Sequence, residues 1–308
     1  MPELPDLTVY VEAIAHRLAG ATCLGVRVGN PFLLRTVAPS PAAAAGRRVV
    51  GVRRVGKRVV LAFEDDLFLV IHLMIAGRLH WKVKPPRLAG RAELAAFEFG
   101  SGSLLLTEAG SRRRAGLWVV EGEAALAALD PGGIEPLEAD RASFAAVLAR
   151  ERHTLKRTLT DPHLLAGIGN AYSDEILHRA RLSPLQLTTH LEPEEIDRLH
   201  AAVGTVLREW TVRLRAESGD DFPEKVTALR PEMAVHGRFG LPCPVCGAPV
   251  QRLAYAENEA NYCAVCQTGG RLLADRALSR LMRGDWPRTL DELEERKRSL
   301  RAPSAAGE

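Results

Sequence analysis

The pattern of hydrophobic and polar positions divides the chain into a β-rich first part and a helical second part. Between about residues 22 and 120, short apolar, β-branched runs alternate with turn residues, which predicts an antiparallel β domain folded as a sandwich. The runs are LGVRVG, RRVVGVRRV, KRVVLAF, LFLVIHL, LAAFEFG, LLLTE and LWVV. From about residue 123 onward the spacing is helical, and the predicted helices cover 142–151, 153–160, 172–180 and 193–216.

Smaller features complete the predicted organisation. A helix is expected over 7–19 with Asp6 as its N-cap, because helical spacing begins directly after that carboxylate. The turn-rich DPGGIEP (130–136) is typical of a domain boundary, and 217–240 is expected to be a loop. Two short helical stretches are expected in the tail, one of them the amphipathic RLLADRALSRLM (271–282).

Composition narrows the class of protein without indicating an activity. The chain has 308 residues, of which 46% are hydrophobic and 26% charged, as in ordinary globular proteins. Since the sequence contains no bilayer-length apolar run and no signal peptide, we expect a soluble, cytoplasmic protein that does not bind membranes. The net charge of +3 is small, but the segments 46–60 and 110–116 are dense in arginine. Such segments bind phosphate backbones or form a solvated face, and both interpretations stay open here.

Four of the five cysteines form a regular pattern. Cys243-x2-Cys246 is followed sixteen residues later by Cys263-x2-Cys266, whereas Cys23 stands alone and is expected to be a small buried apolar residue. Two C-x2-C pairs at this spacing predict tetrahedral thiolate coordination of one Zn²⁺, which a reducing compartment favours over disulfides. The ion would be structural, because protein ligands fill all four coordination positions.

The first residues, MPELP, raise a chemical possibility. If Met1 is removed, Pro2 carries a free secondary amine that can attack an electrophilic carbon and form an iminium, as a lysine forms a Schiff base. The alternative is an ordinary frayed terminus. Two further positions have similarly open interpretations. Lys57 follows a glycine at the head of a strand and is either a surface charge or a phosphate clamp, and His72 ends an apolar strand.

A glycine-containing corner is expected inside DPHLLAGIGNAYSDEILHRARLSP (161–184). Gly167 and Gly169 separate two helical segments, and Asn170 stands where the second helix begins. Backbone N–H groups at such a turn form an anion site, and the asparagine side chain can add a hydrogen bond to a phosphate. An ordinary corner, with glycines for tight packing, is the other interpretation.

The order of these features along the chain resembles the formamidopyrimidine-DNA glycosylase / endonuclease VIII family of base-excision repair enzymes. The resemblance covers roughly residues 1–267 and is carried by MPELP, LKRTLTDPHLLAGIGNAYSDEIL (155–177) and the CPVC…YCAVCQ finger. It implies an α+β multidomain fold with an N-terminal antiparallel β-sandwich, a helix-two-turns-helix domain and a C-terminal four-cysteine zinc hairpin. The expected divisions are 1–130 (catalytic sandwich), 131–225 (DNA-binding helices), 226–270 (linker and zinc hairpin) and 271–308 (helical or disordered tail).

The resemblance also implies a bifunctional DNA glycosylase and abasic-site lyase that acts on oxidised or ring-opened bases. In the family, the proline amine attacks C1′ of the damaged nucleotide, so Pro2 would be the nucleophile and Glu3 the general acid/base. Lys57 and His72 would contact phosphate near the lesion, and Gly169 and Asn170 would hold another phosphate. The expected partner is damaged DNA, bound by a monomer without a nucleotide cofactor.

Several positions depart from the family pattern. The family fills the gap left by the flipped base with Met, Arg and Phe; here Ile75 takes the Met position, Arg113 or Arg114 the Arg position, and Ala115 the Phe position. Asn258 takes the position of the family's zinc-hairpin Arg, for which Arg271 is a nearby replacement, and Asp6 replaces a Glu. We expect the chemistry to be kept and the preference to shift toward unpaired DNA. The alternative is a catalytically weak protein that binds damaged or single-stranded DNA; an unrelated tautomerase-like enzyme has no support from the other motifs.

Overall fold

The computed structural model of the chain describes residues 1–110, 113–224, 226–227, 229–254, 259–274 and 287–301. These residues form two compact units that each draw on several stretches of sequence. The first unit takes Met1–Glu138, Asp161–Gly169 and the described part of Leu207–Ala228. The second takes Ala139–Thr160, Asn170–Val206 and the described part of Leu229–Glu308. No described helix has the length and apolar character needed to cross a membrane.

The first helix begins earlier than its pattern predicts. Helix α1 covers Leu4–Leu18, and its N-cap is Glu3 rather than Asp6, so the predicted start at residue 7 is wrong. Pro5 hides the true start from a pattern search, although proline is compatible with the first turn, where its missing N–H has no helical partner. Glu3 and Asp6 form a reciprocal capping box, in which the Glu3 N–H donates to Oδ2 of Asp6 at 3.0 Å.

Two four-stranded antiparallel sheets follow, as the alternating runs predict. One sheet has the order β1-β6-β7-β5 and the other β2-β3-β4-β8. The strands are β1 Cys23–Val28, β2 Val49–Val55, β3 Arg58–Phe63, β4 Leu67–His72, β5 Gly77–Lys82, β6 Glu93–Phe99, β7 Gly102–Glu108 and β8 Gly116–Glu121. Strand β5 was not predicted, because it is a sheet edge on which buried Leu79 stands among partly exposed polar residues.

The core of the first unit lies between α1 and the inner faces of both sheets. Tyr10, Phe63 and Phe97 are among the largest side chains in this cluster. The outer face of β3 and β4 is buried as well, because the short helix α2 (Glu123–Ala127) places Leu126 against Val60 and Phe68. Burial on both faces explains why β3 and β4 are nearly continuous apolar runs rather than strict alternations.

The second unit contains the predicted helices, with starts that differ by at most two residues from the prediction. They are α3 (Arg141–Ala149), α4 (Leu155–Thr160), α5 (Asn170–Ala180) and the first part of α6, which covers Pro193–Ser218. Asp140 caps α3, since its Oδ1 accepts the N–H of Ser143 at 2.7 Å. The described residues therefore confirm the helical character of this part of the chain.

In the residues that the structure describes, the cysteine-rich end of the second unit is a hairpin followed by two helices. Strands β9 (Val250–Ala254) and β10 (Glu259–Cys263) pair antiparallel, and α7 (Ala264–Thr268) follows directly. Helix α8 (Leu290–Arg301) places Leu290 and Leu293 against the hairpin cluster that contains Tyr262. Of the predicted amphipathic segment 271–282, residues 275–282 lie outside the described residues.

Candidate active site and metal centre

The N-terminal residues are packed into the first unit. Pro2 is buried and Glu3 is only 2% exposed. The Leu4 N–H donates to the Gly167 carbonyl at 2.9 Å, and the Gly169 N–H donates to Oε2 of Glu3 at 2.7 Å. The frayed-end interpretation of MPELP is therefore wrong, and the segment 167–169 fixes the Glu3 carboxylate beside Pro2.

The two glycines of this corner allow the close approach. Gly167 has φ +79°, and a Cβ there would lie 2.9 Å from Cβ of Leu4. A Cβ on Gly169 would lie 2.6 Å from the carboxyl carbon of Glu3, well inside contact distance. Because the Gly169 N–H is used by Glu3, this glycine positions a carboxylate, a role that the phosphate-binding prediction did not include.

Replacing Gly169 by alanine is expected to displace the Glu3 carboxylate. The methyl group would overlap that carboxyl group, so the free energy of unfolding should fall by about 1–3 kcal/mol. The family resemblance implies that Glu3 is the general acid, so base release is expected to fall as well. Thermal unfolding and single-turnover kinetics measure the two effects. Gly100→Ala is the matched control, since a Cβ there meets nothing within 4 Å; equal behaviour of the two variants would contradict the assignment.

The environment of the Met1 terminal amine favours its neutral form. Burial lowers the pKa of the Met1 terminal amine below its usual range, more strongly than the Glu3 carboxylate raises it. The positive charges of Arg78 and Lys57 lower this pKa further. A larger fraction of the amine is therefore unprotonated and nucleophilic at neutral pH than for an exposed terminus.

Lys57 lies in a two-residue turn between β2 and β3. Gly56 takes φ +55°, a left-handed conformation that glycine adopts at little cost, and Lys57 follows it directly. The Arg54 guanidinium donates to the Gly56 carbonyl at 2.6 Å and pairs with Glu135. This bracing fixes the turn that carries Lys57, whose positive charge contributes to lowering the pKa of the terminal amine. Arg54 and Glu135 were not among the predicted site residues, because neither stands in a recognisable motif.

His72 ends β4 directly opposite Arg58, the first residue of β3. Burial lowers its pKa to about 4, with smaller contributions from Arg58 and Lys57, so the imidazole is neutral at pH 7. Its Nε2 is buried and has no hydrogen-bond partner in the described part of the chain. Buried ring nitrogens are usually hydrogen-bonded, so the unpaired Nε2 is an exception that a bound water or ligand group would satisfy.

The predicted wedge residue Ile75 lies on a tight turn between β4 and β5. Met74 takes φ +54°, and Ile75 is 61% exposed at the tip. The Gly77 N–H closes the turn onto the Leu73 carbonyl at 2.9 Å, and a Cβ on Gly77 would lie 2.2 Å from that oxygen. The turn therefore presents an apolar side chain to solvent on a fixed backbone.

The segment before β8 presents arginines and buries its alanine. Glu108 accepts hydrogen bonds from the backbone N–H groups of Arg114 and Ala115 at 2.9–3.2 Å. Ala115 is 3% exposed and belongs to the sandwich core, whereas the side chains of Arg113 and Arg114 are exposed. The position that was compared with the family's Phe therefore faces the interior, whereas the side chains of both arginines face solvent.

In the second unit, Asn170 is the first residue of α5, and its carbonyl is bonded to a buried network of charged side chains. Nζ of Lys156 donates to the Asn170 carbonyl and to Oδ1 of Asp174, both at 2.6 Å. Oδ2 of Asp174 lies 2.7 Å from Nδ1 of His236. This network was not predicted, although the polar run SDE inside α5 was a detectable signal. The network fixes the first turn of α5, where Asn170 was predicted to bind phosphate.

Two residues were compared with the family's zinc-hairpin arginine, and the structure describes one of them. Asn258 lies outside the described residues. Arg271 is exposed, bridges to Thr289, and lines a cavity of about 520 Å³ together with Gln186 and His190. Its predicted contact with DNA stays a prediction.

The four patterned cysteines converge. Their sulfur atoms all lie within 4.8 Å of one another, which is close to the spacing of roughly 3.8 Å in a tetrahedral zinc–thiolate site. Cys243 and Cys263 are buried and Cys246 is exposed, whereas Cys23 lies apart in the sandwich core, as predicted. The donor set fits one Zn²⁺ and leaves no coordination position for a catalytic water.

Helix α5 supports this cluster with two buried side chains that the sequence analysis did not single out. Nε2 of His178 lies 3.3 Å from Sγ of Cys243, so the imidazole N–H can donate to a zinc-bound thiolate. Glu175 accepts the backbone N–H groups of Ala234, Val235 and His236 at 2.7–3.0 Å. These contacts hold the backbone that leads to the first cysteine pair.

Replacing His178 by phenylalanine is expected to weaken zinc binding by about 10- to 100-fold, since the thiolate loses its hydrogen bond. The rate of zinc transfer to a chromophoric chelator measures the effect. His178→Gln keeps an N–H donor and should release zinc more slowly than the phenylalanine variant. Identical release from both variants and the unaltered protein would show that the contact has no role.

Family models match most of the chain. The formamidopyrimidine-DNA glycosylase N-terminal domain matches residues 1–116, the H2TH domain of the same glycosylase matches 133–219, and the zinc finger found in FPG and IleRS matches 240–269. The last match agrees with the cysteine geometry and confirms the expectation of one structural zinc ion.

Named relatives and solved structures agree with these matches. The formamidopyrimidine-DNA glycosylases of Chloroflexus aurantiacus and an Acidovorax species are 33% and 35% identical to the chain, over 87% of its length and 98–99% of theirs. The crystal structure of Fpg from Thermus thermophilus superposes with a TM-score of 0.71 at 33% identity, covering 86% of this chain and 98% of that one. A complex of Lactococcus lactis Fpg with DNA that contains an abasic site has a TM-score of 0.76 at 25% identity, covering 86% and 99%.

Proposed function

Because the chain belongs to the formamidopyrimidine-DNA glycosylase family of base-excision repair, we propose that it releases oxidised or ring-opened bases and then cleaves the DNA strand. The observation that carries this proposal is the docking of the N-terminus. Pro2 is buried next in sequence to Glu3, whose carboxylate accepts the Gly169 N–H at 2.7 Å, and the positive charge of Lys57 acts on the terminal amine.

The proposed chemistry begins when Met1 is removed and Pro2 becomes the terminal residue. Its neutral amine attacks C1′ of the damaged nucleotide, forming the N–C1′ bond while the glycosidic bond breaks and the base leaves with a proton. Glu3 protonates the sugar ring oxygen as the ring opens, which gives the iminium. Loss of the adjacent C2′ proton then allows elimination of the flanking phosphates, and water hydrolyses the remaining iminium to release the sugar fragment as an aldehyde and restore the Pro2 amine.

Phosphate contacts would hold the opened nucleotide in place. Lys57 offers a positive charge on a braced turn, and a phosphate contact would satisfy Nε2 of neutral His72, which has no hydrogen-bond partner among the described residues. Asn170 would hold a second phosphate, and the hydrogen bond from Lys156 to its carbonyl fixes its backbone. The Gly169 N–H donates to Glu3, so this glycine would position the general acid, and its predicted phosphate contact stays a prediction. Arg113, Arg114 and Ile75 would contact the bases around the lesion from exposed segments.

The four-part division of the chain, the monomeric state and the preference for unpaired DNA belong to the same proposal. The burial of Ala115 supports the preference, because this segment offers no apolar side chain to insert into a duplex. A bubble or single strand already has unpaired bases and therefore needs less energy for base flipping.

The burial of Ala115 also favours a second candidate function, in which the protein binds damaged DNA without efficient excision. An assay with untagged, Met1-trimmed protein separates the two. Duplex, bubble and single-stranded DNA with a formamidopyrimidine lesion should release the base and show strand cleavage. Binding without base release or cleavage on all three substrates would favour the binding protein.

A further inference from the structure

Phe32 is a large aromatic side chain presented to solvent on a rigid turn. It is 83% exposed, in the 3₁₀ turn Pro31–Leu33 between β1 and β2. Asn30 caps this turn by accepting the Phe32 N–H at 3.0 Å, and the neighbouring Leu33 is buried in the core. The exposure of Phe32 is therefore a property of an ordered backbone.

The turn is tied to the arginine segment before β8. The Arg35 guanidinium donates to the Phe32 carbonyl at 3.0 Å, to the Ala115 carbonyl at 3.0 Å and to the Arg114 carbonyl at 3.4 Å. Glu108 holds the same segment from the other side through two backbone N–H groups. Phe32 and the arginines thus keep a fixed relation to each other.

The side chains between these elements form an open cleft of about 630 Å³. Phe32 and Asn30 line it together with Arg91 and Arg113. Glu108 also contributes to the wall, but its carboxylate is buried and bonded to backbone N–H groups. An exposed aromatic face with two arginines nearby has the composition of a stacking platform for bases of single-stranded nucleic acid.

We propose that this cleft holds an unstacked base of the bound DNA, with Phe32 against the face of the base and Arg91 and Arg113 at its flanking phosphates. The proposal rests on the proposed function in one respect, that the protein binds DNA. It assigns to Phe32 a contact that no motif in the sequence indicates, and it gives the protein a physical reason to prefer DNA with unpaired bases.

Binding to undamaged DNA tests the platform without requiring any chemistry. Fluorescence anisotropy would be measured on labelled single-stranded, bubble and duplex DNA for Phe32→Ala, Phe32→Tyr and the unaltered protein. Phe32→Ala should bind the single strand and the bubble about tenfold more weakly, with little change on the duplex. Phe32→Tyr should bind normally, because it keeps the ring. Val37→Ala is the matched control, since Val37 is 97% exposed and does not line the cleft.

A base analogue reports the stacking itself. The fluorescence of 2-aminopurine at an unpaired position should be quenched on binding by the unaltered protein and by Phe32→Tyr, and less by Phe32→Ala. DNA binding with the same affinity and quenching in Phe32→Ala as in Val37→Ala would overturn the platform and leave the proposed function intact. Failure of the unaltered protein to bind any of the three DNA forms would instead overturn both.

Discussion

Protein that retains Met1 should lose strand cleavage by at least about 10³-fold relative to protein that begins at Pro2. In the retained form the Pro2 nitrogen is part of a peptide bond and cannot form an iminium. The structure has Met1 in place ahead of a buried Pro2, so the two forms should share one fold. Single-turnover cleavage of DNA with an abasic site measures the difference, and mass spectrometry identifies each form.

The trimmed form should also show a shifted pH dependence. The amine attacks only when neutral, so the rate rises with pH as the amine loses its proton. Pro2 is buried, and burial disfavours a charged amine, so this rise should occur at lower pH than for an exposed terminus. Thermal unfolding and DNA affinity, the controls, should agree between the two forms. Cleavage by the Met1-retaining form within tenfold of the trimmed form would contradict the role of Pro2.

Glu3→Gln should lower the rate of base release by about 10²- to 10⁴-fold, the usual range for loss of a general acid. The amide keeps an oxygen that can accept the Gly169 N–H, so the docking of the N-terminus should largely survive. Single-turnover base release from a damaged duplex or bubble measures the effect.

Glu12→Gln provides the matched control for this substitution. Glu12 lies on the same helix, is exposed, and pairs with Arg215. Its replacement should leave base release unchanged. If Glu3→Gln released the base as fast as Glu12→Gln, Glu3 could not be the proton donor.

Local patterns predicted most of the elements, and their errors have physical causes. Strands β3 and β4 were evident because burial on both faces makes them continuous apolar runs. The edge strand β5 was missed because only part of one face is buried. The start of α1 was placed three residues late, since Pro5 in the first turn resembles a break although the capping box of Glu3 and Asp6 begins before it.

Less of the candidate site than of the fold could be predicted from the sequence, because contacts between distant residues have no local pattern. MPELP and the glycine corner were each recognisable, but the hydrogen bond that joins them connects residues 166 positions apart. The corner was therefore assigned to phosphate, whereas Gly169 holds Glu3. The network of Lys156, Asp174 and His236 was missed for the same reason. The cysteines were predicted correctly, since coordination geometry constrains their spacing within each pair.

Borohydride trapping of the trimmed protein on abasic-site DNA, followed by mass spectrometry of the cross-linked peptide, tests the central claim most directly. Reduction converts an iminium into a stable secondary or tertiary amine at the attacking nitrogen. The account predicts one adduct, on the N-terminal peptide at the Pro2 nitrogen, and none when Met1 is retained. An adduct at Lys57 or another lysine, or no adduct with Met1 confirmed absent, would contradict it.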